Sequence, residues 1–240
     1  MMNLLEVKDL NKSFGGVRAL SNLSFSVRKG ELLGIIGPNG AGKTTLFNVI
    51  MGIYPPDSGD IKFQGRSIVG LPPYKICRMG IVKTYQIPRP FWNLTLLENL
   101  LVASISSRDM KLDEATQYCL KVLKLVGLSE LKDVQAKNLL PTQLKKLEIA
   151  RALSCKPTLL LLDEPAAGLR GKEIEDLINL INEIRQTSTI ILVEHRMEVV
   201  LKLSERVIVL HRGSKFYEGT PEEVLRNEDV VKLYIGERAK

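Results

Sequence analysis

The sequence predicts an α/β fold with a mainly parallel sheet and a helical segment inserted into it. Two observations carry this. After Pro157, short apolar runs such as "TLLLLD" (158–163) and "IILV" (190–193) alternate with amphipathic stretches, the pattern of buried parallel strands joined by helices. From about Leu94 to Leu153 the pattern is almost wholly helical, with no convincing strand.

Taken in order, the chain opens on two period-2 segments, "LLEVKDL" and "NLSFSV", which read as strands. "ELLGIIG" is an apolar strand running into a Gly-rich turn. "KTTLFNVIMG" reads as a helix ending at Gly52, and "PPDSGD" as a turn. Residues 60–86 mix strand and helix signals. Beyond the helical block, "TLLLLD", "KEIEDLINLINEIRQ", "STIILVE" and "RVIVL" read as strand, helix, strand and strand. The expected organisation is a first core part over residues 1–89, an inserted helical subdomain over 90–155, and a second core part with C-terminal helices over 156–240. A chain of 240 residues suits one large domain or a core with such an insertion.

Composition is that of a soluble globular protein, 45% hydrophobic and 25% charged. The opening "MMNLLEVKDLNKSF" lacks a basic region followed by a long apolar stretch, so no signal peptide is expected. The longest apolar runs are too short to span a bilayer. The three cysteines, Cys77, Cys119 and Cys155, are widely spaced, which points to reduced thiols in a cytosolic protein rather than a disulfide or metal framework. The net charge of +7 is compatible with nucleic acid, an anionic membrane surface or nucleotide phosphates, but no Lys/Arg run is long enough to form a basic arm.

The chemistry is concentrated in two motifs. "GPNGAGKT", Gly37 to Thr44, fits G-x-x-x-x-G-K-[ST] and sits between a predicted strand and a predicted helix. Glycines at 37, 40 and 42 let successive backbone N–H groups converge, and the helix N-terminus adds the positive end of its dipole. The expected nucleotide-binding set is Gly37, Pro38, Asn39, Gly40, Ala41, Gly42, Lys43, Thr44 and Thr45. Lys43 should reach the β- and γ-phosphates, and Thr44 should ligate Mg²⁺. About 120 residues later, "LLLLDEP" ends an apolar strand in two acids. Asp163, expected first past the strand, should hold Mg²⁺ through water, and Glu164 is the expected general base. These motifs imply a nucleotide hydrolase. Phe14 in "KSFGGVRAL", Gln86 in "KTYQIPRPF" and His195 closing "IILVEH" are each weak alone, but their order and spacing narrow the reading.

Together these motifs resemble the ATP-binding subunits of ABC transporters over essentially the whole chain. "FGGVRAL", "KTYQIPRPF", "LEIARAL", "LLLDEPAAGL", "VEHRMEVV", "EGTPEEV" and "YIGE" look like the branched-chain (hydrophobic) amino-acid uptake systems. The resemblance implies a P-loop NTPase (RecA-like) core, an N-terminal antiparallel β subdomain and an inserted helical subdomain that docks a membrane subunit. It implies ATP and Mg²⁺ as ligands. Phe14 would stack on adenine, Gln86 would sense Mg²⁺ and the transport subunit, and His195 would contact the γ-phosphate. The catalytic set is then Glu164, His195, Lys43 and Gln86, and the metal set Thr44, Gln86 and Asp163. The implied partners are a second ATP-binding subunit in a head-to-tail dimer and polytopic permease subunits, with no nucleic acid. The implied location is peripheral, on the cytoplasmic side of the membrane. Phe91 and Trp92, near the start of the helical block, are interface anchor candidates.

One stretch departs from the family. Where L-S-G-G-Q is usual, Leu139, Leu140, Pro141, Thr142 and Gln143 stand. In the family this loop covers the γ-phosphate bound by the opposite subunit. Leu140 has no hydroxyl, Pro141 has no N–H, and Thr142 is β-branched where bare backbone should approach phosphate. Losing two charge-assisted hydrogen bonds would cost about 3–6 kcal/mol. Arg170 and Gly171 also replace the usual residues after "DEPAAGL". The expectation is an unequal pair of ATP sites formed with a different subunit. Alternatives are a soluble ABC-type ATPase acting on nucleic acid or ribosomes, an importer subunit for urea or amides, and a regulatory subunit with negligible hydrolysis.

Overall fold

Alternation along the apolar strands decides the architecture. In the segment Leu159–Asp163, Leu160 and Leu162 face one core, while Leu159 and Leu161 face another. Successive side chains of a strand point to opposite faces, so a strand that is apolar at every position must be covered twice. A computed structural model of the chain describes residues 3–108 and 110–238. Residues 1–2, 109 and 239–240, which the expected segments include, lie outside the described residues.

The chain begins with β1 (Asn3–Phe14), β2 (Val17–Arg28), β3 (Leu32–Ile36) and α1 (Lys43–Ile50). There follow β4 (Ser58–Phe63), β5 (Arg66–Ser67), α2 (Pro73–Met79) and β6 (Ile81–Lys83). The helical block comprises α3 (Leu96–Arg108), α4 (Leu112–Leu125) and α5 (Pro141–Ser154), with two short 3₁₀ turns before α5. Then come β7 (Leu159–Asp163), α6 (Lys172–Ile184), β8 (Thr189–Val193), α7 (Met197–Leu203), β9 (Arg206–His211), β10 (Ser214–Gly219), α8 (Pro221–Arg226) and α9 (Glu228–Arg238).

Two sheets result. The first, ordered β2-β1-β4-β5, is antiparallel. The second, ordered β10-β9-β3-β8-β7-β6, is parallel except for β10, which pairs antiparallel with β9 at one edge. One face of the second sheet packs on α1 and the antiparallel sheet, through Leu33, Ile35, Ile191 and Phe47. The other packs on α5, α6 and the helical block, through Leu32, Ile190, Leu192, Leu147 and Ile181. The fold class expected from the sequence is the one observed.

Three local expectations are corrected. "PPDSGD" is only partly a turn, because β4 starts at Ser58. The Asp57 carboxylate takes the Ser13 N–H at 2.6 Å and the Lys12 ammonium at 2.9 Å, which brings the chain back onto β1 early. Asp163 is the last residue of β7 rather than the first beyond it, because it still pairs with Val193. His195 lies two residues past the end of β8, where the Glu194 carboxylate draws the backbone into a turn by accepting from the N–H groups of His195 and Arg196.

Leu160 is fully buried, whereas Leu140 is 62% exposed. Leu160→Ala is expected to lower the unfolding free energy by about 2–5 kcal/mol. Leu140→Ala is expected to change it by no more than about 0.5 kcal/mol. Urea denaturation of the two variants measures both.

Candidate functional site

The parallel strands β3, β7 and β8 end on the same edge of the sheet, together with their neighbour β6. In open α/β sheets this carboxyl edge is where ligands bind. The loop Gly37–Gly42 leaves β3 there and turns into α1. Gly42 has φ 103°, and a Cβ on it would overlap the carbonyl oxygen of Ala19. Any side chain at 42 would therefore force the loop away from β2. Ala41 is buried, whereas Asn39 and Gly40 are exposed. The loop is closed by the Ala41 N–H donating to the Pro38 carbonyl at 3.1 Å. Lys43 is buried and its Nζ donates to the carbonyl oxygens of Gly37 (2.6 Å) and Pro38 (2.9 Å), so its ammonium lies over the loop. Thr44 is exposed and Thr45 half-buried in the first turn of α1, where the backbone N–H groups have no partner within the helix.

Glu164 is the point of convergence. Its φ is 49°. Its N–H donates to the Val193 carbonyl at 2.9 Å, which ties it to the end of β8. One carboxylate oxygen accepts from Gln86 Nε2 at 2.5 Å, and the other lies 2.8 Å from His195 Nε2. Three residues 31 and 78 positions apart are thus brought together. Asp163, beside it, is almost fully buried. Burial pushes its carboxyl above the ordinary aspartate range, and the Lys83 ammonium, 3.1 Å from Oδ2, pulls it back.

Thr44, Lys83, Gln86 and Asp163 line one cavity of about 360 Å³. The residues suit Mg²⁺. Asp163 Oδ1 is a buried acceptor with no hydrogen-bond partner, and Thr44, a hydroxyl residue, lines the same cavity. Hard oxygen donors in this number, completed by water and phosphate, are what Mg²⁺ takes. Among the described residues no cluster of three or more His, Cys, Asp or Glu side chains forms a self-contained metal cage.

Phe14 stands apart from this group. It closes β1, is 41% exposed, and meets Tyr54 edge-on with ring centroids 5.1 Å apart. Tyr54 in turn lines the cavity that holds Thr44 and Asp163. Phe91 and Trp92 are about half exposed, but their backbone is pinned. Asn99 bonds both the N–H and the carbonyl of Phe91, and the Trp92 carbonyl accepts from Lys137 N–H. The departing stretch starts α5. Leu140 is its N-cap, Pro141 its first residue, and the Gln143 side chain accepts from the Leu140 N–H at 2.9 Å. Leu139 is buried in the helical core. Arg170 and Gly171 are exposed and lead into α6.

Among the described residues no helix is long and apolar enough to cross a membrane. The ABC transporter family matches residues 20–167, more than half of the chain. The chain is 42% identical over 250 residues to the high-affinity branched-chain amino acid transport ATP-binding protein LivG of Salmonella typhimurium, covering 98% of each. It is 40% identical to the corresponding protein BraF of Pseudomonas aeruginosa, again covering 98% of each. Among solved structures it is similar to the ADP conformation of MJ1267, an ATP-binding cassette of an ABC transporter. The TM-score is 0.89 at 35% identity, over 98% of this chain and 100% of that one. It is also similar to the dimeric post-hydrolysis state of the cassette MJ0796 bound to ADP and Pi, with a TM-score of 0.82 at 26% identity, over 90% and 98% of the two chains.

Five charged residues that the motifs did not single out shape the site. Lys83 pairs with Asp163. Glu194, almost fully buried, accepts from the N–H groups of Ala166 (2.7 Å), His195 (3.0 Å) and Arg196 (3.3 Å), and burial pushes its carboxyl above the ordinary range. Lys145, on α5, donates to the Ala167 carbonyl just beyond Glu164. Glu148, also on α5, accepts from the Tyr85 N–H at 3.2 Å and pairs with Arg151 at 3.1 Å. Arg151 in turn holds the Arg89 carbonyl at 2.8 Å. The sequence does carry a signal for two of them, since Lys83 and Glu148 interrupt apolar positions in "GIVKTYQ" and "LEIARAL". Glu148 and Arg151 thus fasten the Gln86 loop to α5. Glu148→Ala leaves Arg151 without its carboxylate and the Tyr85 N–H without its acceptor. It is expected to lower the unfolding free energy by about 3 kcal/mol or more and to speed amide exchange at Tyr85, as read by denaturation and hydrogen exchange.

Proposed function

This chain belongs to the ABC transporter family, and from that premise we propose that it is the ATP-hydrolysing subunit of a membrane importer for branched-chain or related amino acids. The observation that carries the proposal is the convergence of Gln86 and His195 on Glu164, beside Asp163 and across one cavity from the phosphate loop. Full-length similarity to transport subunits supports an importer over an ATPase that acts on nucleic acid. The same similarity supports a peripheral subunit on the cytoplasmic side of the membrane, docked to permease subunits through the helical block, with Phe91 and Trp92 as anchors.

The placement of these residues supports the following roles. The phosphate loop and the N-terminus of α1 take the β- and γ-phosphates, and the Lys43 ammonium moves from the loop carbonyls onto them. Phe14 offers a ring face to adenine. Thr44 and Asp163 would hold Mg²⁺, which when bound would neutralise charge on the phosphate oxygens. Glu164 orients the attacking water and accepts its proton once Gln86 turns from the carboxylate toward the metal site and the transport subunit. His195, held by the Glu194 turn, donates to the γ-phosphate, where negative charge grows in the transition state.

The start of α5 supports an unequal dimer. Leu140 and Pro141 offer apolar surface where a partner's γ-phosphate needs donors. The Gln143 side chain is already engaged with its own helix. The chain's own ATP is then completed by the signature loop of a different subunit, in a head-to-tail pair, while the partner's ATP faces the impaired loop.

Glu164→Gln is expected to lower ATP turnover by about a hundredfold or more with nucleotide binding retained; undiminished turnover would reject Glu164 as the base. The wild-type chain alone should hydrolyse ATP slowly. The triple change Leu140→Ser, Pro141→Gly and Thr142→Gly should raise its homomeric turnover by about tenfold or more. Brisk turnover by the unaltered homodimer would sink the unequal-site reading.

A further inference from the structure

We infer that Lys83 is a positioning residue for Mg²⁺-dependent nucleotide binding: it braces Asp163 against the helix that carries Thr44. The inference rests on the reading of Asp163 and Thr44 as Mg²⁺ ligands. Lys83 ends β6, and its side chain is 4% exposed against 3% for Asp163. Its Nζ lies 3.1 Å from Asp163 Oδ2 and donates to Asn48 Oδ1 at 3.0 Å. Asn48 lies on α1 four residues after Thr44, and residues so spaced share one helix face. The ammonium also sits 5.8 Å and 5.4 Å from the ring centroids of Phe47 and Tyr85, which confine it from two sides.

This arrangement does something specific to the carboxylate. Lys83 engages Oδ2 only, and Oδ1 is left buried and without a hydrogen-bond partner. A carboxylate fixed by one oxygen presents the other in a defined direction, and Asp163 lines the same cavity as Thr44. Through Asn48 the same ammonium sets the distance between β7 and α1, the two elements that supply the protein's metal ligands. A buried ion pair of this kind adds little stability relative to an apolar pair of similar volume, so orientation is the physical consequence it does have. Groups behind a metal ligand commonly govern metal affinity in this way.

The test titrates Mg²⁺ into the full chain with a fluorescent ATP analogue bound, alongside binding in EDTA. Lys83→Met is expected to raise the half-saturating Mg²⁺ concentration by about tenfold or more, with binding in EDTA altered by less than about twofold. Lys83→Arg should stay close to wild type in both. An unchanged Mg²⁺ midpoint in Lys83→Met would overturn the inference. So would a lower midpoint, which would mark Lys83 as a repellent of the cation, or an equal weakening with and without Mg²⁺, which would mark a merely structural residue. Should Lys83→Met fail to unfold cooperatively, Asn48→Ala removes the far anchor and keeps the charge. A midpoint raised about threefold or more would then support the brace, and an unmoved one would overturn it. A wild-type chain whose nucleotide binding ignores Mg²⁺ would overturn the ligand reading itself and this inference with it.

Discussion

The structure depends on β7 being buried on both faces and hydrogen-bonded on both edges. Its leucines alternate between two cores, and β6 and β8 pair with it in parallel register, Lys83 with Leu161 and Asp163 with Val193. A strand held on four sides has no freedom at its end. Asp163 therefore closes the strand, and Glu164 leaves it, in a fixed direction. The residues just past β6 (Thr84, Gln86) and just past β8 (Glu194, His195) must arrive beside them. The convergence on Glu164 is a consequence of register among three adjacent strands, with the phosphate loop brought in by β3 on the far side of β8.

That geometry places charge at the edge of an apolar core, and each buried charge is answered locally. Asp163 has Lys83. Glu194 has three backbone N–H groups. Glu148 has Arg151 and the Tyr85 N–H. Burial pushes the carboxyls of Asp163 and Glu194 upward, and their partners oppose it. For Lys145, burial pulls the ammonium down while the charges of Glu194 and Glu164 hold it up. Unpaired, any of these groups would favour its neutral form or draw water into the core. Paired, they become rigid struts between elements, which catalytic geometry requires.

The parts of the site that could be read from the sequence are those built from contiguous residues. The loop Gly37–Gly42 is one contiguous run between strand and helix, and "LLLLDEP" carries its strand and its acids in one stretch, so local order reveals both. Gln86 and His195 were legible only as a spaced set. Lys83, Glu148 and Glu194 act through partners 80, 63 and 28 residues away, and sequence order contains no distance of that kind. The same limit explains the corrected strand ends. Asp163 stays in β7 because Val193 pairs with it, and β4 begins early because Asp57 is captured by Lys12 and the Ser13 N–H. Composition and periodicity settled the α/β class and the helical block, because burial on one face or two imposes its period on the residues themselves.

On the proposed pairing, the start of α5 separates what the chain does for itself from what it would offer a neighbour. Its helix is complete as it stands. Pro141 occupies the first turn, where its missing N–H costs nothing, and the Leu140 N–H is satisfied by Gln143. Leu147, Ile149 and Leu153 bury the other face in the core. Farther along, Lys145 and Glu148 reach the turn after Glu164 and the loop before Gln86. The body of α5 is therefore bound to the segments that carry Glu164 and Gln86, while its exposed tip can diverge without disturbing them. Divergence at such a tip changes exposed surface, so on the proposed head-to-tail pairing the cost of Leu140 and Pro141 would fall on an ATP held by the other subunit rather than on this chain's own.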